Sequence, residues 1–260
     1  MSRPGWKHVI GIIGGLGPYA HVEFEILLLC ATEKALGRPP VDQDYPPWVL
    51  SSIPTTPDRT GALLDGSESP VEALVRSAER LSEADFGVIP CNSAHAFLDE
   101  VRERVALPFL DMIRVTAERA VSDVGRRGTI GILAASGTLQ SGQYSKWIGK
   151  LAPDARVISL LDLDNGDELQ ERLVMEPIFG PRGIKAGAFR EPARREELAE
   201  PMREATRKLA EAGAEIVLTA CTEIPLVLGR ESVDAMPLVD PMAVAAERAI
   251  DIALGRDALP

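Results

Sequence analysis

The chain has 260 residues, of which 45% are hydrophobic and 26% are charged. This composition is typical of a soluble globular protein and not of a disordered one. Twenty-eight basic residues against 39 acidic ones give a formal net charge of −11, which argues against a broad contact with nucleic acid or anionic lipid. No apolar run approaches the roughly 20 residues that a membrane-spanning helix needs. We therefore expect neither a nucleic-acid partner nor a membrane.

Cysteine and histidine are too sparse for a disulfide framework or a metal site. The chain has three of each, with no CxxC or HExxH spacing,. Near the N-terminus the apolar stretch VIGII is interrupted by glycines, so we interpret it as a first buried strand and not as a secretion signal. These features predict a cytoplasmic protein with free thiols and no metal.

In the first half of the chain, short apolar strands alternate with longer amphipathic helices. Pro18 suits the first turn of a helix that ends at Gly37, and Ser69 with Pro70 suits the start of another,. The predicted strands span 8–13, 48–53, 86–90 and 109–112, and the predicted helices span 18–37, 69–84 and about 92–104.

The second half repeats this alternation. Its predicted strands span 129–135, 156–161, 215–220 and 237–240, and its predicted helices span 139–151, 194–212 and 242–254. The segment 162–189 holds one predicted helix and then the Gly/Pro-rich stretch IFGPRGIKAG. A long irregular segment in a compact α/β chain is often a functional loop.

Strands separated by helices of this length predict βαβ units and parallel sheets. An internal echo adds to this, because GIIGGLG at 11–17 resembles GILAASG at 131–137, and VIPCNSA at 88–94 resembles VLTACTE at 217–223. We therefore predict an α/β fold of two pseudo-symmetric Rossmann-like lobes, each with a mainly parallel sheet, and an active site in the cleft between them. The predicted first lobe comprises residues 1–113 with 238–260, and the second comprises 114–237.

Two of the three cysteines are predicted to lie where ligands bind in parallel α/β sheets, beyond the carboxyl ends of strands. Cys91 and Cys221 each end a predicted strand and precede residues that can begin a helix, a setting that favours the thiolate. A buried apolar role is the alternative for either one alone. Cys30, inside the apolar run FEILLLCA, is predicted to pack in the core. His95 follows Cys91 by four residues and either tunes its thiol or makes a structural hydrogen bond.

One thiol per lobe suits inversion of a stereocentre. One thiolate removes a proton from one face of the carbon while a thiol donates a proton to the other face, which requires neither cofactor nor metal. Carboxylate-binding candidates are the turn GGLGP at 14–18, Arg59 in the polar loop 55–62, and Lys185 between two glycines,. For each of the three, a solvated loop is the alternative.

The chain resembles the aspartate/glutamate racemase superfamily, and most closely its cofactor-independent aspartate racemase branch. The resemblance runs in order through GIIGGLGP, PDRT, PCNSAH, GILAASGT, IKAG and CTEIP. It implies a small acidic amino acid as substrate, no cofactor and a homodimer. It also implies Cys91 and Cys221 as the acid/base pair, with substrate contacts from Gly15, Arg59, Asn92, Ser93, Thr138, Lys185, Thr222 and Glu223.

Two departures from the pattern of this superfamily bear on the substrate. Ser93 replaces the usual threonine, and His21 stands where a small hydroxyl residue is usual. Relatives act on hydantoins, maleate or arylmalonates, so the fold alone does not fix the substrate. The alternatives are therefore an enzyme of hydantoin racemase, maleate isomerase or arylmalonate decarboxylase type, and a non-catalytic two-lobed protein that binds acidic ligands. The presence of both thiols with Arg59 and Lys185 favours an acidic amino acid.

Overall fold

The computed structural model describes residues 4–260 and confirms the predicted α/β fold with two mainly parallel sheets. Residues 1–3, which the predicted first lobe includes, lie outside the described residues. The chain divides into two compact units, of which the first combines the described residues up to Val115 with Met242–Pro260, and the second is Thr116–Pro241. Within residues 4–260 no helix combines the length and the apolar character that crossing a bilayer requires.

The first unit is built on a four-stranded parallel sheet with the order β2-β1-β3-β4. Its strands are β1 (Ile10–Gly14), β2 (Trp48–Ser52), β3 (Phe86–Val88) and β4 (Phe109–Leu110). Its helices are α1 (Pro18–Leu36), α2 (Arg59–Leu64), α3 (Val71–Glu79), α4 (Leu98–Arg102), the start of α5 (Met112–Val124), and α12 (Pro241–Ala253) from the far end of the chain.

Alternating side chains of β1 supply both faces of this sheet. Ile10 and Ile12 pack with residues of α1 and α12 on one face, and Ile13 packs with residues of α3 and α4 on the other. Each large apolar side chain buried in this way stabilises the fold by about 1.5–3 kcal/mol. The two faces explain why β1 is apolar at nearly every position instead of alternating.

Helix α1 has its predicted ends, but the predicted burial of one of its residues is wrong. Gly37 ends the helix with φ +63°, as expected of a C-terminal glycine. Cys30, predicted to pack in the core, is exposed. The run around it is apolar on every side of the helix, so its pattern does not identify the buried face. The helix buries Phe24, Leu27, Leu28 and Ala31 and exposes Val22, Ile26, Leu29 and Cys30.

The second unit contains a five-stranded sheet with the order β6-β5-β7-β9-β8. Its strands are β5 (Thr129–Leu133), β6 (Arg156–Ser159), β7 (Ile216–Thr219), β8 (Ser232–Val233) and β9 (Met236–Val239). All pairs are parallel except β8 with β9. Because β9 pairs with β7, residues 238 and 239 belong to this sheet, and not to the first lobe as the sequence predicts.

The helices of the second unit depart from the prediction mainly at one glycine. The predicted helix 139–151 is two helices, α6 (Ser136–Ser141) and α7 (Gln143–Leu151), because Gly142 takes φ +62° between them. The others are α8 (Gly166–Gln170), a π-helical turn (Glu171–Met175), α9 (Glu176–Phe179), α10 (Pro192–Glu211) and α11 (Pro225–Leu228). Helix α10 contacts β5, β7 and β9 through a buried apolar stripe.

The first four strands of each sheet follow one common order. The strand that precedes the glycine turn, β1 or β5, is the second strand of its sheet. The strand that precedes a cysteine, β3 or β7, is the third strand of its sheet. This equivalence gives a structural basis to the internal echo seen in the sequence.

Candidate functional site

The predicted site residues of the first half of the chain lie at the carboxyl edge of the first sheet. The Gly14–Gly15 turn follows β1, Arg59 comes soon after β2, and Cys91 follows β3. Parallel neighbours end at the same edge, and helix α2 contacts the 3₁₀ turn Ser93–Phe97. The sequence-predicted residues of the first half of the chain therefore share one end of their sheet.

The glycine turn is held by this chain's own side chains. The amide of Gly15 donates to Nδ1 of His21 at 3.1 Å, and Nη2 of Arg59 donates to the carbonyl oxygen of Leu16 at 2.7 Å. Burial lowers the pKa of His21, against a smaller opposing effect of the Glu25 carboxylate. A substrate contact from Gly15 stays a prediction; in the structure the Gly15 amide donates to the ring of His21.

Gly15 has no room for a side chain. Its φ is +89°, and a Cβ would lie 2.6–2.8 Å from backbone atoms of Ile53 and Pro54. Gly142 has a similar φ of +62° but open space around the same position. We expect Gly142→Ala to cost about 1–2 kcal/mol of unfolding free energy, and Gly15→Ala to cost about 1–3 kcal/mol more because of the clash.

Denaturant unfolding of the two variants measures this difference. Gly142→Ala is the matched control, since it carries the same substitution at another glycine with positive φ, without the clash. Equal losses in the two variants would contradict the close approach of Gly15 to Ile53.

The solvated loop, which was the alternative to a carboxylate-binding role for Arg59, is not what the structure shows. Arg59 is the first residue of α2 and is only 8% exposed. The helix begins here because the side chain of Asp58 accepts a hydrogen bond from the amide of Gly61, as an N-cap does. Besides Leu16, the guanidinium donates to the carbonyl oxygen of Pro57 at 3.2 Å. Arg59 is thus a buried cation that links the start of α2 to the turn after β1.

Cys91 lies in a tight turn just after β3 and is 5% exposed. Its amide donates to the carbonyl oxygen of Ile89 at 2.7 Å, and its Sγ lies 3.6 Å from Oγ of Ser93, within hydrogen-bonding distance for sulfur. Asn92 is buried beside it and accepts the amide of His95 at its carbonyl oxygen. The hydroxyl of Ser93, which replaces the usual threonine, is therefore in contact with the thiol.

In the second unit, Cys221 belongs to a cluster of four bonded side chains. The thiol donates to Oε2 of Glu223 at 3.1 Å, and the hydroxyl of Thr222 donates to the same oxygen at 3.1 Å. Lys185 donates from Nζ to the other oxygen, Oε1, at 2.7 Å. We call Cys221, Thr222, Glu223 and Lys185 the Glu223 cluster. The sequence analysis named all four residues, and the structure brings them together.

The charges of the Glu223 cluster set the protonation of the thiol. Burial raises the pKa of Cys221, the Glu223 carboxylate raises it further, and the Lys185 ammonium opposes both. Burial also acts to raise the pKa of Glu223, but the Lys185 charge and the donated hydrogen bonds outweigh it and hold that pKa below its ordinary value. The unliganded cluster therefore contains a protonated thiol beside an ionised carboxylate.

One contact and one cavity near the candidate residues were not predicted. The Nζ atom of Lys185 lies 5.3 Å from the ring centroid of Phe179, within cation–π range. The only sequence signal for this is an aromatic residue in the Gly/Pro-rich segment. Thr138 is buried in the first turn of α6 and lines a cavity of about 280 Å³ with Tyr144, Ser159 and Asp162. None of the contacts described for Thr138 joins it to the Glu223 cluster.

Comparison with known proteins identifies the family of the chain. The "Asp/Glu/Hydantoin racemase" family model matches residues 13–249. An aspartate racemase from Picrophilus torridus is similar in structure, with a TM-score of 0.72 and 27% identity over 96% of this chain and 95% of that one. A broad specificity amino-acid racemase, RacX, from Bacillus subtilis is 28% identical over 53% of this chain and 59% of that protein.

A glutamate racemase from Ectopseudomonas mendocina is 32% identical over 62% of this chain and 55% of its own length. The chain thus matches between half and three fifths of the length of these two curated relatives. The family match is much longer, since it extends from the first strand to the last helix and includes both strand-end cysteines. On that match, with two sheets of one strand order, the chain belongs to the Asp/Glu/hydantoin racemase family.

Proposed function

We propose that the protein is a cofactor-independent racemase of an acidic amino acid, aspartate or glutamate, and that Cys91 and Cys221 act on opposite faces of Cα. The observation that carries this proposal is the equivalence of the two cysteines. Each is buried and follows the third strand of a sheet with the same strand order. A duplicated thiol at duplicated strand ends suits a reaction that needs one acid and one base.

In the proposed reaction the atoms balance without a co-reactant. The thiolate of one cysteine takes the α-proton and becomes a thiol, and the thiol of the other cysteine donates its proton to the opposite face of the carbanion and becomes a thiolate. The next turnover in the reverse direction restores the first state. Because the Glu223 cluster favours the protonated form of Cys221, we assign Cys221 as the proton donor of the unliganded enzyme and Cys91 as its base.

An acidic amino acid is the proposed substrate because cations accompany both cysteines. Arg59 lies at the same sheet edge as Cys91, and Lys185 is part of the Glu223 cluster. Lys185 already pairs with the Glu223 carboxylate, but its side chain is still partly exposed. Its ammonium can therefore also bind a substrate carboxylate as a second partner. Aspartate and glutamate racemases among the similar proteins support an amino-acid substrate. We retain the homodimer and the cytoplasmic location as predictions.

Solvent exchange tests the proposal. Purified protein in D2O, without added cofactor, should replace the α-hydrogen of both enantiomers of its substrate with deuterium while the optical rotation decays to zero. Proton NMR and chiral chromatography of L- and D-aspartate and L- and D-glutamate measure the two processes. Hydantoins, maleate and arylmalonates complete the substrate panel.

The other outcomes have definite meanings. Turnover of a cyclic amide, of maleate or of an arylmalonate, with no exchange in either amino acid, would contradict the proposed substrate class. Tight binding of aspartate or glutamate without deuterium incorporation would contradict catalysis and favour a binding protein.

A further inference from the structure

His95 connects the segment that carries Cys91 to the start of another helix. Its Nδ1 lies 2.9 Å from the carbonyl oxygen of Cys91, and the amide of Met112 lies 3.2 Å from its Nε2. Met112 is the first residue of α5, so the imidazole joins the turn after β3 to the first turn of that helix. The side chain is buried, and the sequence analysis had left open whether it tunes the thiol or holds the fold.

The two partners determine the tautomer of the ring. A backbone amide only donates and a carbonyl oxygen only accepts. Nε2 must therefore accept the hydrogen of Met112, and Nδ1 must carry the proton that it donates to Cys91. The two bonds exist together only in the neutral ring with its hydrogen on Nδ1,. Burial lowers the pKa of His95, and Arg102 lowers it too, whereas Asp111 and the Cys91 carbonyl raise it.

The bond to Cys91 takes the place of a missing helical hydrogen bond. The amide of His95 donates to Asn92 within the 3₁₀ turn, so that amide does not reach back to Cys91, and the side chain supplies the donor instead. Both backbone groups of Cys91 are then fixed, since its amide donates to Ile89. A buried carbonyl left without a donor would be costly, and the peptide of Cys91 has little freedom to rotate while the imidazole holds it.

We propose that His95 is a positioning residue for Cys91, and that the Nδ1–H group of its neutral ring fixes the carbonyl group of this cysteine. This inference rests on the proposed function insofar as Cys91 is an acid/base residue. The ring acts through the carbonyl group of Cys91 and is not itself a proton donor to the substrate. A thiol displaced by about 1 Å can lose about 10²-fold in rate, so the expected effect is on kcat more than on KM.

Two substitutions separate the two ends of the ring. In His95→Asn the side-chain amide can occupy the place of Nδ1 and donate to Cys91, but it is too short to reach Met112. In His95→Gln the longer side chain can accept the Met112 hydrogen but does not replace the donor to Cys91. Each variant keeps one of the two bonds, so we expect both to lose similar stability.

The readout is the rate at which iodoacetamide alkylates Cys91, measured by peptide mass spectrometry in a Cys30→Ser background together with kcat and KM. We expect His95→Asn to stay within about threefold of the parent in alkylation rate and kcat, and His95→Gln to lose about 10²-fold in kcat with an altered alkylation rate. Equal behaviour of the two variants, or unchanged alkylation of Cys91 in His95→Gln, would overturn the inference.

A measurement on the parent protein keeps the test independent of whether the variants fold. NMR of protein labelled with ¹⁵N-histidine should show His95 as the Nδ1–H tautomer at neutral pH, and the Nε2–H tautomer would refute the assignment. If the parent racemises no substrate but the alkylation order holds, the proposed function fails and the positioning role stands.

Discussion

Replacing Cys221 with serine should abolish racemisation and yet leave the α-hydrogen of one enantiomer exchanging with D2O. In this variant the Cys91 thiolate can still remove the α-proton from its own face, and its S–H then exchanges with solvent. Reprotonation comes only from the same face, so deuterium enters without inversion. Loss of one acid/base group should reduce racemisation by about 10²–10⁴-fold.

Cys91→Ser is the complementary variant. It should also fail to racemise, and its residual exchange should occur with the opposite enantiomer, more slowly than in Cys221→Ser because the Glu223 cluster favours the protonated form of Cys221. Proton NMR of each enantiomer in D2O, together with chiral chromatography, measures both processes. The matched control is Cys30→Ser, because Cys30 is exposed on α1 and should be replaceable without effect. Exchange of the same enantiomer in both variants, or near-normal racemisation in either one, would rule out two opposed thiols.

Changing the charges of the Glu223 cluster should move the pKa of Cys221 in opposite directions. Glu223→Gln removes the carboxylate that raises this pKa and leaves the Lys185 ammonium, which lowers it. The pKa of Cys221 should therefore fall. Lys185→Met removes the ammonium and leaves the carboxylate, so the pKa should rise. Both variants should lose about 10²–10³-fold in kcat/KM, the range seen when a single stabilising polar group is removed from an active site.

The pH dependence of Cys221 alkylation, followed by mass spectrometry in a Cys30→Ser background, measures the shift. The half-maximal rate should move to lower pH in Glu223→Gln and to higher pH in Lys185→Met. Glu204→Gln is the matched control, since it neutralises a carboxylate that pairs with Arg172 on the surface of the same unit. This control should leave the alkylation profile of Cys221 unchanged, and shifts of the same sign in the first two variants would contradict the cluster.

The sequence predicted the sheets well because buried strands carry a strong local signal. Runs such as EIVLTA and TIGILAA are short, apolar and bounded by turns, and β7 and β5 lie within them. Short elements were not predicted, because their local sequence signal is weak. Helix α2 has six residues and contains Gly61, and β8 has only two residues. Elements of this size depend on their capping and pairing partners, which a linear pattern does not reveal.

The candidate residues of the second unit were identified from the sequence, but their network was not. The segment CTE places Thr222 and Glu223 beside Cys221, whereas Lys185 lies 38 residues before Glu223. Only the folded chain shows that its ammonium meets that carboxylate. Similarly, the sequence marked His21 as a departure, and only the structure shows that its ring accepts the Gly15 amide.

Helix α12 comes from the far end of the chain but packs in the first unit, and this arrangement implies an order of folding during synthesis. Residues of α12, including Met242, Ala246 and Ile250, complete the core around Ile10 and Ile12, and the amide of Lys7 donates to the carbonyl of Ala253. The second unit, in contrast, is one uninterrupted stretch. On the ribosome we therefore expect the later-made unit to close first, and the core around Ile10 and Ile12 to be completed only when α12 emerges from the exit tunnel.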